Sequence, residues 1–143
     1  MLYFDTSFLA PLILEETTSS AVEQFLSRLP VGTLAVSQWT QVEFCSLLGK
    51  EVRMGGLSPQ AAGEASAAFD AIVAESFVVL LPTAQDFGLA KRYLGNYESG
   101  LRAGDALHLA IAKDNGAEVV FSFDRTLLKA GKALGLPVSA GIN

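Results

Sequence analysis

Hydrophobic and polar positions divide the chain into short apolar runs and longer stretches in which apolar residues recur at helical spacing. The short runs predict strands at residues 2–5, 32–37, 77–81 and 118–122, with residues 136–139 as a candidate fifth strand. The periodic stretches predict helices at residues 7–14, 19–29, 41–54, 59–75, 83–97, 102–115 and 125–134. Gly55 and Gly56 end one helix, and Ser58 with Pro59 begins the next, as these residue types favour those positions.

Strands that alternate with helices predict an α/β fold. The central strands are apolar at successive positions, which is typical of a parallel sheet covered by helices on both faces. The crossovers between parallel strands should be right-handed. No repeat, linker or low-complexity segment interrupts the pattern, and 143 residues suit one compact domain. We therefore predict a single domain over residues 1–143.

The composition narrows the class of protein. Half of the residues are apolar and 17% are charged, which argues against disorder. The net charge of −5 argues against a protein that coats nucleic acid electrostatically. One cysteine, Cys45, and one histidine exclude a disulfide framework and a zinc site, and Cys45 is predicted to be buried. With neither a basic leader nor an apolar run of about 18 residues, we expect a cytoplasmic protein without a membrane partner.

Four acids fall near the expected carboxyl ends of strands, where chemistry gathers in parallel α/β sheets: Asp5, Glu43, Asp105 and Asp124. Each also has a structural explanation. Asp5 and Asp124 could cap the helices that follow, and Asp105 could favour its helix through the dipole. Glu43 stands three residues after Thr40, which is the spacing of a capping box.

Taken together, the four acids indicate a metal site. They are attached to apolar strands and helices, so their surroundings should be poorly hydrated and their charges should raise one another's pKa values. A hard divalent cation relieves that conflict, and oxygen ligands suit Mg²⁺ or Mn²⁺. Such a cluster commonly cleaves phosphodiester bonds, because the cation activates a water molecule and neutralises charge on the phosphate.

Four motifs carry a family resemblance: FDTS at 4–7, QVEF at 41–44, LRAGDALHLAIA at 101–112 and FSFDRTLLKAGKALGL at 121–136. Through them the whole chain resembles the PIN-domain ribonucleases, in particular the VapC-type toxins of toxin–antitoxin modules. The resemblance implies an α/β/α sandwich with a parallel sheet of about five strands. It also implies a Mg²⁺-dependent endoribonuclease, with Mn²⁺ able to substitute, whose metal ligands and catalytic groups are Asp5, Glu43, Asp105 and Asp124.

The resemblance extends to supporting residues and partners. It implies that Thr6 or Ser7, together with Ser122, contacts metal-bound water or the backbone around the acids. It further implies an RNA substrate, a homodimer and a cognate antitoxin seated in an apolar groove, which the helices around residues 8–14 and 22–29 could supply. Trp39 could then belong either to the core or to such an interface.

Other polar residues near the acids have open roles. His108 follows Asp105 by three residues on nearly the same helical face, and we interpret it as a partly buried structural histidine rather than an acid–base group. Arg102 and Arg125 flank two of the acids and could grip RNA phosphates or pair with the acids. Lys50 could likewise lie on a solvated helix face or at an RNA groove.

Two rival functions remain at this stage. A haloacid-dehalogenase-like phosphatase also has an aspartate after its first strand, but it needs a second one two residues later, where this chain has Ser7. A PIN-like scaffold that binds RNA or a partner without cleavage is the other, and four intact acids argue against it.

Overall fold

The computed structural model of the protein describes residues 1–142. Within them, five strands form one sheet: β1 (Leu2–Phe4), β2 (Leu34–Ser37), β3 (Val78–Leu80), β4 (Val119–Phe121) and β5 (Val138–Ser139). The sheet order is β3-β2-β1-β4-β5 and every pair is parallel. The predicted α/β/α fold with a parallel sheet of about five strands is thus confirmed.

Seven α-helices connect the strands in this part of the chain. They are α1 (Thr6–Leu9), α2 (Ser19–Ser27), α3 (Gln38–Arg53), α4 (Pro59–Ser76), α5 (Ala84–Leu94), α6 (Ala103–Asp114) and α7 (Arg125–Ala133). The predicted first helix is divided, because α1 ends at Leu9 and a 3₁₀ turn over Ala10–Leu12 follows it. No helix among residues 1–142 is both long and apolar enough to cross a membrane.

Alternation along β1 sends successive side chains into two different cores. Phe4 packs with residues of α1, α2, α3 and α4 on one face of the sheet. Tyr3 packs with residues of α5, α6 and α7 on the other face. On the first face, Phe4 stacks on Phe121 with ring centroids 5.0 Å apart, and Phe8 stacks on Phe123 at 4.5 Å. These contacts hold the start of α1 against the carboxyl ends of β1 and β4.

Helix α3 begins three residues earlier than the pattern predicts. Ser37 is its N-cap, and the Ser37 and Thr40 side chains form the capping box with each other's backbone. Thr40 is therefore the inner partner of that box, and the capping alternative for Glu43 is wrong. Trp39 lies within the first turn of α3, where it is half-buried against the α5–α6 face.

One burial prediction is also wrong. Cys45 is exposed, because Phe44 and Leu48 form the buried stripe of α3 and the next residue along points outward. The apolar run at 77–81 contains β3, which is an edge strand of the sheet. Val78 is 54% exposed and Leu81 is 64% exposed there.

Candidate active site

The four predicted acids line one cavity of about 530 Å³ at the carboxyl ends of β1 and β4. Asp5 follows β1, Glu43 projects from α3, Asp105 lies in the first turn of α6, and Asp124 follows β4. The remaining lining residues are Thr6, Ser7, Ser46, Leu47, Lys50, Arg102 and Gly104. The acids converge because strands β1 and β4 are neighbours and all strands point the same way.

Asp5 is the most constrained of the four. It is 3% exposed, and three donors hold its carboxylate. Oδ1 accepts from Ser7 Oγ at 2.8 Å and from the Phe8 amide at 3.1 Å, and Oδ2 accepts from Ser122 Oγ at 2.7 Å. Burial raises the pKa of Asp5, while the positive His108 and these hydrogen bonds oppose the rise. Asp5 is also the N-cap of α1, so the capping role and the place in the cavity coexist.

Glu43 is held through one oxygen. Its Oε1 accepts from Thr6 Oγ1 at 2.6 Å and contacts Nε2 of His108. Burial works against ionisation of Glu43, but the hydrogen bond and charge of His108, together with the Thr6 hydroxyl, lower its pKa overall. Glu43 is therefore ionised over the physiological pH range.

Asp105 is the least supported of the acids. Burial, then the negative charges of Asp124 and Asp5, raise its pKa to about 6. No hydrogen bond lies among the influences on this pKa, so the carboxylate lacks a donor among the described residues. Asp124, in contrast, caps α7 by accepting from the Leu127 amide at 3.0 Å. Asp105 therefore carries the unrelieved charge of the cluster.

The predicted hydroxyls contact the acids themselves. Ser7 accepts from the Phe123 amide at 2.9 Å while it donates to Asp5, and Ser122 accepts from the Asp124 amide at 2.9 Å while it donates to Asp5. Each serine thereby ties the end of β1 to the segment that follows β4. Thr6 performs the equivalent task for α3.

The positive residues are divided between the cavity and the surface. Arg102 and Lys50 line the cavity, whereas Arg125 is exposed and lies outside its lining. Lys50 follows Glu43 by seven residues, so both lie on one face of α3. That spacing was the signal available in the sequence for placing Lys50 at the site.

Gly104 is a site residue that the sequence reasoning missed. A Cβ atom on it would lie 2.7 Å from Glu43 Oε2 and 3.4 Å from Trp39 Cζ2. The Gly104 carbonyl also accepts from Trp39 Nε1 at 3.2 Å. The missing side chain therefore leaves room for Glu43, and Trp39 fixes the backbone that provides this room.

The donor set fits a hard divalent cation. Its donors are carboxylate oxygens, and both Asp105 and Glu43 Oε2 have unsatisfied lone pairs. Among residues 1–142, no three acidic, histidine or cysteine side chains converge tightly enough to form a complete ligand set by themselves. Mg²⁺ suits such an open arrangement, because it commonly keeps several waters and uses one or two carboxylates. Cations that require a closed set of protein ligands, such as structural zinc, do not suit this arrangement.

A comparison with models of protein families shows to which family the chain belongs. The PIN domain model matches residues 2–133. The chain belongs to the PIN-domain family. The resemblance to PIN proteins inferred from the four motifs is thus confirmed. No curated protein matches this sequence significantly.

Solved structures share this PIN fold. VapC20 of Mycobacterium tuberculosis, described as a toxin that cleaves the sarcin–ricin loop, has a TM-score of 0.72 and 22% identity, with 95% of this chain and 96% of that chain covered. PAE2754 of Pyrobaculum aerophilum has a TM-score of 0.63 and 26% identity over 90% of this chain and 78% of its own. VapBC-1 of nontypeable Haemophilus influenzae has a TM-score of 0.69 and 16% identity, with 97% of each chain covered.

Proposed function

We propose that the protein is a Mg²⁺-dependent endoribonuclease, with Mn²⁺ able to substitute, and the toxin of a VapBC-type toxin–antitoxin module. One observation carries the proposal: four acids line a single cavity, where burial and the negative charges of Asp124 and Asp5 raise the pKa of Asp105 to about 6. A cation would remove that repulsion, and PIN-domain membership agrees with nuclease chemistry.

The residues would divide the work as follows. Asp5, Glu43 and Asp105 would hold the ion, and Asp124 would complete the site. Bound Mg²⁺ would lower the pKa of a water molecule and neutralise charge on the scissile phosphate. The protein keeps its ligands in place through hydroxyl donors, as Ser122 does for Asp5.

RNA would be recognised through direct contacts at the cavity rather than through long-range electrostatic attraction. The chain carries a net charge of −5, so long-range attraction to a polyanion is weak. Arg102 and Lys50 at the cavity would each contact a phosphate directly. Arg125, on the surface of α7, would contact RNA that extends beyond the cavity.

An antitoxin partner is supported by an apolar groove of about 870 Å³ between the 3₁₀ turn, α3 and α4. Leu12, Ile13, Leu14, Leu47 and Leu57 are among its lining residues, and Glu15, Glu16, Glu51 and Glu64 also lie along it. Such a groove suits an amphipathic segment with basic flanks. Two solved relatives of the same fold are described as VapBC pairs, from Rickettsia felis and from Haemophilus influenzae.

The groove differs from the one expected at residues 8–14 and 22–29. Phe8 and Val22 are fully buried in the core and offer no surface. Only the end of the first segment, from Leu12 to Leu14, contributes to the groove. The proposed toxin is a single PIN domain that acts in the cytoplasm as a homodimer.

The two rivals make different demands on the same site. A phosphatase of the haloacid-dehalogenase type needs an acid where Ser7 stands, and Ser7 is occupied with Asp5 and the Phe123 amide. A scaffold that binds without cleavage needs no carboxylate oxygens free to hold a metal ion. The Asp105 carboxylate has no hydrogen-bond donor among residues 1–142, and this argues against the scaffold.

The test is cleavage of a mixed cellular RNA pool by the purified, antitoxin-free protein. We expect discrete fragments with Mg²⁺ or Mn²⁺ that disappear with EDTA and in Asp5→Asn. The matched control is Asp70→Asn, which makes the same change at an exposed position of α4 and should cleave normally. A folded protein that never cleaves would favour the scaffold, and cleavage that persists in Asp5→Asn would overturn the site.

A further inference from the structure

His108 contacts Glu43 of the candidate active site and the buried Tyr3 through the two nitrogens of its ring. It is 1% exposed and lies on α6, one turn after Asp105. Both ring nitrogens have partners: Nδ1 lies 2.7 Å from the Tyr3 hydroxyl, and Nε2 contacts Glu43 Oε1. The sequence predicts a partly buried structural histidine; the ring is in fact almost fully buried, and it contacts one of the four acids, Glu43.

The direction of the contact with Glu43 is fixed by chemistry. An ionised carboxylate only accepts hydrogen bonds, so the proton between the two groups belongs to Nε2 of His108. This holds for the neutral and for the protonated ring alike. The Tyr3 hydroxyl can either donate to Nδ1 or accept from it, so it supports the ring in both states.

The contacts behind the ring are anchored in the core. The Tyr3 hydroxyl also lies 2.9 Å from Ser37 Oγ, and Ser37 is the N-cap of α3. Tyr3 itself is fully buried in β1. A continuous set of side-chain contacts therefore joins β1, α6 and the start of α3, and it ends on the Glu43 carboxylate of the same helix α3.

The two oxygens of Glu43 have different surroundings as a result. Oε1 is occupied by His108 and by Thr6 at 2.6 Å. Oε2 lies beside Gly104, where there is no side chain, and both residues line the cavity. A carboxylate fixed through one oxygen can present only the other one to a ligand.

We propose that His108 is a positioning residue that fixes Glu43 through Oε1, so that Oε2 is the oxygen offered to the metal ion. The inference rests on the proposed metal-dependent function. Groups that orient a metal ligand from behind typically change metal affinity by 10- to 100-fold when they are removed. Tyr3 has the next place in this arrangement, because it orients the ring of His108.

Two replacements of His108 separate positioning from filling of space. In His108→Gln the side-chain amide reaches the place of Nε2 and can still donate to Glu43. In His108→Asn the amide reaches only the place of Nδ1, so Glu43 loses the donor behind Oε1 and keeps only the Thr6 hydroxyl. Both variants remove the ring, so a purely structural role would make them equally weak.

The measurement is the Mn²⁺ affinity of the purified full chain by titration calorimetry, together with thermal unfolding of each variant. We expect His108→Gln to bind Mn²⁺ within about threefold of the wild type and His108→Asn to bind at least about tenfold more weakly. In RNA cleavage at saturating Mn²⁺, His108→Asn should lower kcat and leave KM unchanged. If His108→Asn does not fold, Tyr3→Phe decides, with an expected loss of about threefold to tenfold in Mn²⁺ affinity.

The outcomes separate this inference from the function on which it rests. Equal Mn²⁺ affinity in the Gln and Asn variants, or unchanged affinity in a folded Tyr3→Phe, overturns the positioning role and leaves the metal site standing. A wild-type protein that does not bind Mn²⁺ overturns the proposed function and the inference together.

Discussion

Gly104→Ala should slow the proposed RNA cleavage strongly without removing any functional group. The new Cβ would lie 2.7 Å from Glu43 Oε2, whereas a carbon and an oxygen usually approach to about 3.3 Å. Glu43 must therefore retreat by roughly 0.6 Å. Trp39 Cζ2, 3.4 Å from the same Cβ, limits escape of the methyl group in its direction.

The expected effect on activity is large and the effect on stability small. A misplacement of this order at a catalytic group can cost up to about 100-fold in rate, so for the proposed metal ligand Glu43 we expect kcat to fall about 10- to 100-fold. Replacement of glycine by alanine in a helix favours folding by about 1 kcal/mol. Weakened hydrogen bonds from Thr6 and His108 to Glu43 cost about the same amount. The free energy of unfolding should therefore change by less than about 1 kcal/mol.

The assay combines multiple-turnover RNA cleavage with urea unfolding. Gly88→Ala is the matched control, because it lies within α5 and its added Cβ has nothing within 4 Å. It should gain stability by about 1 kcal/mol and cleave normally. Glu43→Asp, which shortens the side chain, should cost less activity when combined with Gly104→Ala than alone. Cleavage by Gly104→Ala within twofold of the wild type would refute the argument.

Three further predictions concern charge and packing. In the metal-free protein the native pKa of Asp105, about 6, exceeds 3.8, so the native state binds more protons between these values. The contribution of Asp105 to the free energy of unfolding must therefore fall as the pH rises through about 6, by about 1 kcal/mol after screening. In urea unfolding at several pH values, Asp105→Asn should lose this part of the pH dependence. Asp86→Asn should stabilise the protein by about 0.5–1 kcal/mol at pH 7.5, because Asp86 Oδ1 is buried without a donor among the described residues and lies beside Asp114. The gain should shrink as the pH falls, since the contact with Asp86 raises the pKa of Asp114 and a protonated Asp114 can donate to Asp86. A loss of stability at pH 7.5 would contradict this prediction. Gly131→Ala should destabilise by about 2 kcal/mol with normal cleavage per folded molecule, because its Cβ would collide with Val138; unchanged thermal unfolding would contradict it.

Most of the fold and the place of the acids could be predicted from the sequence, because both depend on local patterns. Asp5 and Asp124 come directly after apolar runs, and parallel strands bring such positions to one edge. The exposure of Val78 could not be predicted, because an edge strand has the same apolar pattern as a central one. The prediction that Cys45 is buried is wrong for a related reason, because a shift of one residue along a helix turns the side chain by about 100° around the helix axis.

The contacts of individual side chains were beyond the sequence. The start of α3 depends on whether Ser37 or Thr40 caps the helix, and both residue types suit that position. The contact between His108 and Glu43 joins residues 65 positions apart, and no local pattern contains it. No local pattern shows the importance of Gly104 either, because it depends on the space that the absent Cβ leaves for Glu43.

Asp5 and Asp124 begin helices as well as line the cavity. For the toxin proposed above, this double role would constrain how mutation can remove toxicity. Asparagine caps a helix as well as aspartate does, whereas alanine costs about 1 kcal/mol at such a position. A host that selects against the proposed toxin would therefore obtain two kinds of survivor from these two codons. Changes to asparagine would yield a folded, inert protein that still binds the proposed antitoxin, and changes to alanine would yield a less stable chain with fewer folded copies to bind it. The two kinds of survivor would leave different amounts of free antitoxin in the cell, although both have lost the same carboxylate.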